Sequence, residues 1–319
     1  IIHINNQSFH RVLFSILQLQ RCEFMNRSQI VLFLFLSICF NTFSQKTFTL
    51  TSPSEKIKIS IRIADSVYYS LEVNKHQVLN PSAIALLTHR TKLGINAQVT
   101  GTKTRSVNEM IVNPVPYKRK NIPDHFNELT VLFRENFSII FRAYEDGIAY
   151  RFQTRFRDSV QVNQEVATFR FAHKGTVYFS EVQKRDRLDT YHTSFEEPYR
   201  ILSLPEVTET QRSFTPVLVD ESTIKAVITE SDLLDYPGMF LKGTGTNSLT
   251  GDFAGYPKTE KIRGGEFKQH VVTARHNFLA KTAGTRSYPW RVIVIAEKDS
   301  DLLMNDLVYR LASPPAIAR

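Results

Sequence analysis

Between residues 48 and 79, apolar and polar side chains take turns along FTLTSPSEKIKISIRIADSVYYSLEVNKHQVL. A two-residue period belongs to a half-buried β-strand, whose successive side chains point to opposite faces. The rhythm breaks at Pro53-Ser54-Glu55-Lys56 and near Ala64-Asp65-Ser66, where turn-forming residues gather. It returns at 129–133, 137–143, 148–154, 168–171, 176–179, 217–219, 225–229, 271–274 and 291–296. Asn136 and Asp146-Gly147 separate such runs, and Asp-Gly is a strong hairpin signal. No strand–helix–strand alternation accompanies them. The pattern predicts an all-β chain, a large antiparallel β-sandwich of many short strands.

A helical period appears near the C-terminal end. Leu302, Leu303, Leu307, Val308 and Leu311 share one face, Ser300 can cap the start, and Asp301 suits the positive end of a helix. Pro314-Pro315 stops it. Residues 300–319 read as a linker helix leading from the sandwich (45–299) to a further element.

Composition changes the picture at the N-terminal end. Arg27, an apolar run from 30 to 40, and Thr42 and Ser44 ahead of Gln45 form the three parts of a secretory signal peptide, 25–44. The apolar run is too short to span a bilayer comfortably. Residues 1–24 then read as an upstream mis-start, with the true start at Met25. Both cysteines, Cys22 and Cys39, precede the expected cut. The mature chain is expected to lack cysteine, which excludes disulfides, thiol catalysis and cysteine-ligated zinc. An exported bacterial protein, periplasmic or secreted, is the expectation, with no membrane segment after cleavage. The net charge of +9 is spread along the chain. Its densest cluster, Lys118-Arg119-Lys120, reads as a solvated loop, and no nucleic-acid partner is expected.

Chemical motifs are scarce. No GxSxG, HExxH or phosphate-binding glycine loop is present. Asp124-His125 and His192-Thr193-Ser194 supply no triad order. Glu196 and Glu197 are adjacent, so on a strand they face opposite ways and cannot flank one glycosidic bond. Glu230 differs. It ends the 225–229 run, and Asp232, Asp235 and a Tyr236-Pro237-Gly238 bend follow it. Carboxylates at a strand end suit either a solvated acidic turn or a calcium ligand, although calcium takes about 6–8 oxygens.

Five blocks carry a resemblance: DHFNELTVLF (124–133), IIFRAYEDGIAYRF (139–152), FTPVLV (214–219), AVITESDLLDYPGMFL (226–241) and AKTAGTRSYPWRVIVIAEKDSDLLMNDLVYRLASP (280–314). Together they resemble the N-terminal β-supersandwich of glycoside hydrolase family 97, a fold related to galactose mutarotase. The resemblance runs from about residue 48 to 314. It implies an exported α-glucosidase or α-galactosidase acting on α-linked oligosaccharides. Its catalytic (β/α)8 barrel holds the catalytic carboxylates and is expected to lie beyond this chain, so no catalytic residue is assigned here. The resemblance also implies that Glu230 ligates a calcium ion shared with barrel glutamates. In the family the 250–258 region approaches the sugar pocket, which makes Asp252, Phe253 and Tyr256 the substrate-binding candidates. Arg286, Trp290 and Arg291 are expected in packing and interface roles. Three alternatives stay open: a stand-alone carbohydrate-binding module, a mutarotase-like enzyme and an inactive fragment.

Overall fold

A computed structural model describes residues 45–113, 118–183 and 189–314. The expected leader, the segment ahead of it, both cysteines and residues 315–319 lie outside the described residues. The description below concerns the unit Gln45–Arg319.

Five strands open the chain: β1 (Lys46–Thr51), β2 (Ile57–Ile63), β3 (Val67–Val73), β4 (His76–Thr88) and β5 (Lys92–Leu93). Next come β6 (Val99–Val112), β7 (Asn121–Phe133), β8 (Phe137–Tyr144), β9 (Gly147–Arg155), β10 (Val160–Arg170) and β11 (Thr176–Ser180). They are followed by β12 (Tyr199–Ser203), β13 (Arg212–Phe214), β14 (Val217–Asp220), β15 (Lys225–Ser231), β16 (Met239–Gly243) and β17 (Ser248–Phe253). The chain closes with β18 (Pro257–Arg263), β19 (Gln269–Arg275), β20 (Ala280–Thr282), β21 (Thr285–Ser287), β22 (Trp290–Ala296), α1 (Asp299–Leu303) and α2 (Leu307–Leu311).

The strands form two ten-stranded antiparallel sheets and one separate hairpin, β18–β19. The first sheet runs β1-β2-β3-β4-β10-β17-β16-β13, with β5 on β4 and β20 on β10. The second runs β12-β11-β14-β15-β22-β9-β8-β7-β6, with β21 on β9. The predicted all-β sandwich is the fold observed. Its inner faces follow the two-residue period: along β2 and β3 every second side chain is buried. The main core joins Ile57, Ile59 and Ile61 of the first sheet to Phe141, Tyr150 and Ile293 of the second.

β22 is buried at all seven positions because both of its faces are covered. Ile293 and Ile295 enter the main core, whereas Trp290, Val292 and Val294 pack outward under Leu307 and Leu311 of α2. The β8–β9 turn lies under the same cover. A β-carbon on Gly147 would sit 2.5 Å from the Ile293 carbonyl oxygen and 2.7 Å from Leu307, so only glycine fits.

Three local features differ from the sequence expectations. The helix splits into α1 and α2. Between them Asn305 donates to Asp146 (2.7 Å) and accepts from the Leu307 amide (3.0 Å), while Asp306 pairs with Arg119. These side-chain ties to the sheet interrupt the helical ladder. At its start the Asp301 carboxylate accepts the Lys298 amide at 3.2 Å, and the helix begins at Asp299 rather than after Ser300. The 250–258 region, read from the sequence as a loop, is mostly strand: residues up to Phe253 belong to β17, and β18 begins at Pro257. The long edge strand β6 went unpredicted, since it is exposed along most of its length and carries no apolar alternation.

Candidate functional site

β15 brings Glu230 to the end of the sandwich, directly across from Arg291 of β22. Glu230 Oε2 accepts Arg291 Nη1 at 2.6 Å, and Oε1 accepts the Met239 amide at 3.0 Å. Arg291 is 1% exposed. Its Nε and Nη2 grip Glu165 of β10 at 2.6 and 2.8 Å, joining the two sheets through one guanidinium. The Tyr236 hydroxyl donates to Glu165 at 3.0 Å, and the Phe253 ring lies 4.9 Å from the guanidinium carbon.

The electrostatics follow from burial. Desolvation pushes the Glu230 carboxyl above its ordinary value, against the pull of Arg291 and the Met239 amide. Burial also opposes the Arg291 charge, but Glu165 and Glu230 outweigh it, and the guanidinium is held above its usual range. Two carboxylates against one guanidinium leave this cluster one negative charge in excess.

Glu230 forms part of the wall of a cleft of about 800 Å³. Tyr191, Phe195, Phe214, Tyr256 and Arg275 also line it. This mixture of aromatic faces and a few polar groups is typical of small-molecule sites. Tyr256 is 42% exposed and stacks on Phe278 at 5.5 Å. Asp252 and Phe253 do not line the cleft. Asp252 accepts Arg212 Nε at 2.8 Å and the Tyr191 hydroxyl at 3.1 Å, which fixes a ring that does line it. Phe253 is buried beneath Arg291.

The acidic segment after β15 is matched, charge by charge, with arginines of neighbouring strands. Asp232 meets Arg151 at 3.2 Å and accepts the Ser313 amide and hydroxyl, both at 3.0 Å. Asp235 meets Arg286 at 3.0 Å. Asp232 and Asp235 adopt left-handed backbone angles (φ 58° and 44°), which aspartate tolerates better than most residues and which bend the chain sharply. Among the described residues no three His, Cys, Asp or Glu side chains gather as a metal site. Of these acids Glu230 and Asp235 line the cleft; Asp235 is paired with Arg286, whereas Glu230 shares its one guanidinium, Arg291, with Glu165.

A sequence profile described as glycosyl-hydrolase 97 N-terminal matches residues 50–314. The chain belongs to glycoside hydrolase family 97.

Within family 97 its relatives are longer. A retaining alpha-galactosidase of Bacteroides thetaiotaomicron is 36% identical over 278 residues, covering 85% of this chain and 42% of that protein. This chain therefore spans less than half the length of that relative. A family 97 enzyme from Pseudoalteromonas sp. strain K8, solved with acarbose, superimposes with a TM-score of 0.70 at 22% identity, over 84% of this chain and 38% of that one. A beta-arabinopyranosidase gives 0.65 at 19% identity, over 78% and 40%. At these identities the structural likeness shows the fold alone. The structure also places the remaining sequence candidates. Trp290 is buried with Arg142 and Arg151 at 4.8 and 4.3 Å from its ring, a packing role. Asp124 is buried and His125 exposed on alternate faces of β7, so they do not act together. Glu165, Tyr236, Tyr191 and Arg212 were not singled out from the sequence. The available signal was Arg291 itself: a cation inside the apolar run WRVIVIA must find a buried anion.

Proposed function

We propose that this chain is the N-terminal sandwich of an exported α-glycosidase acting on α-linked oligosaccharides. Its Glu230 is one ligand of a calcium ion shared with a catalytic barrel. The observation that supports this is the cleft-lining carboxylate of Glu230, which belongs to a cluster of two carboxylates and one guanidinium. A hard oxygen donor in that setting suits calcium, and the described residues gather too few carboxylates to hold the ion by themselves. Once bound, such an ion polarises oxygen ligands and stabilises developing negative charge. Tyr256 offers a sugar the aromatic face it exposes in the cleft. Asp252 acts behind it by holding Tyr191 and Arg212, and Phe253 by packing under Arg291.

Glu230→Gln, made in the sandwich and barrel together, tests the reading. Calcium affinity by titration calorimetry should fall at least tenfold, with the sandwich still folded. An unchanged affinity removes Glu230 from the metal site.

A further inference from the structure

Arg291 occupies a position where the strand pattern calls for an apolar residue. Its neighbours on the same face of β22 are Ile293 and Ile295, both in the main core. A buried ion pair is a poor way to stabilise such a core: well-packed apolar residues of similar volume are often as stable or more so. Stability alone therefore does not explain why two carboxylates and a guanidinium are placed there.

Geometry supplies an explanation. All three nitrogens of the guanidinium are used, two on Glu165 and one on Glu230. Glu165 is itself held by the Tyr236 hydroxyl. The Arg291 plane is thus fixed by a residue of the opposite sheet before it meets Glu230. Glu230 is held at two points, one per oxygen, by Arg291 and the Met239 amide. A carboxylate accepts about four hydrogen bonds, so roughly two acceptor positions stay open after the wall has taken its share. Glu165 offsets the guanidinium charge, so Arg291 can orient Glu230 without cancelling the negative charge that a cation would meet.

We infer that Arg291 is a positioning residue: locked by Glu165 and Tyr236, it sets the orientation in which Glu230 presents its free carboxylate edge to the cleft. The inference rests on the reading of Glu230 as a metal ligand. A planar fork with donors at three nitrogens makes these contacts, and lysine, whose three donors rotate about a single nitrogen, cannot reproduce the bidentate grip on Glu165 while holding Glu230.

The test compares R291K, Y236F and E230Q in the sandwich and barrel together, with calcium alone as the probe. Calcium affinity is measured by calorimetry well below the melting temperature, so that only folded protein is read. Loss of a partner that orients a metal ligand typically weakens affinity about 10–100-fold. R291K should fall in that range, and crystals of the variant should show the Glu230 carboxylate turned from its place between Arg291 and the Met239 amide. Y236F keeps every charge and removes one donor to Glu165. It should weaken affinity severalfold, and it decides the matter if R291K does not fold. A purely structural role would lower the melting temperature and leave the affinity of folded protein unchanged, which would overturn the inference. If E230Q itself leaves affinity unchanged, the metal reading fails first and the inference falls with it. If E230Q abolishes binding while folded R291K and Y236F bind normally, only the inference fails.

Discussion

Glu221 begins the turn between β14 and β15, and its side chain is 3% exposed. Neither carboxyl oxygen accepts a hydrogen bond among the described residues. The neighbouring cation candidate is His76, whose Nε2 lies 3.9 Å away and whose ring stacks on His173 at 4.8 Å. Gly175 closes over the side chain, with an ideal β-carbon 3.5 Å from Glu221 Cγ. Lys225, close by on β15, is engaged with Asp220 and Asp299. Burial pushes the Glu221 carboxyl up from its ordinary 4.5 to about 7. A carboxyl whose folded pKa lies above its unfolded value favours folding in its protonated form. Its contribution is complete below about pH 4.5 and is lost as pH rises through about 7. At about 1.4 kcal/mol per pH unit, the interval corresponds to about 3 kcal/mol. Local relaxation and water penetration around the charged carboxylate reduce its desolvation cost, so about 3 kcal/mol is an upper figure. Glu221→Gln removes the titration. Urea denaturation from pH 4.5 to 8.5, followed by fluorescence of the single tryptophan, Trp290, should show wild-type stability falling relative to the variant as pH rises. The variant should be the more stable of the two at pH 8. A stability difference that stays constant across the range would refute the reasoning.

Three other perturbations follow from the packing. Trp290→Ala removes the largest outward-facing core side chain and frees Arg142 and Arg151; circular dichroism melts should show a loss of about 3–5 kcal/mol. Gly243→Ala would place a methyl group 2.2 Å from the Val207 carbonyl oxygen and 2.5 Å from that of Thr208, so urea titration should show a loss of about 1–3 kcal/mol or more. Asp232→Ala leaves Arg151 and the Ser313 amide without their acceptor. Hydrogen exchange should quicken at Ser313 while the amides of β22 stay protected, at a global cost of about 1–3 kcal/mol.

Much of the fold was legible because burial writes a period into a strand. The alternation in β2 and β3, the Asp-Gly signal at the β8–β9 turn and the apolar run of β22 each predicted their element. The pattern failed where burial did not act on one face alone. β6 is an exposed edge, so its side chains are free to be polar in either direction. In the 299–311 segment Leu307 and Leu311 are buried as the apolar face requires, but Leu303 is exposed and the helix loses continuity at Asn305, where distant partners, Asp146 and Arg119, hold the chain.

The candidate site divides the same way. Local sequence placed Glu230 at a strand end and an acidic bend behind it, since strand period and turn residues act within a few positions. It could not say which acids are neutralised, because their partners are remote: Arg291 lies 61 positions from Glu230 and 126 from Glu165. The sequence by itself determined an antiparallel sandwich with an acidic strand end. Only the tertiary structure decided that Asp232 and Asp235 pair with arginines, that Phe253 sits behind the wall and Tyr256 in the cleft, and that Glu230 shares one guanidinium with Glu165. Side-chain pattern reports how much of a residue is buried, whereas charge balance depends on which strands the two sheets bring face to face.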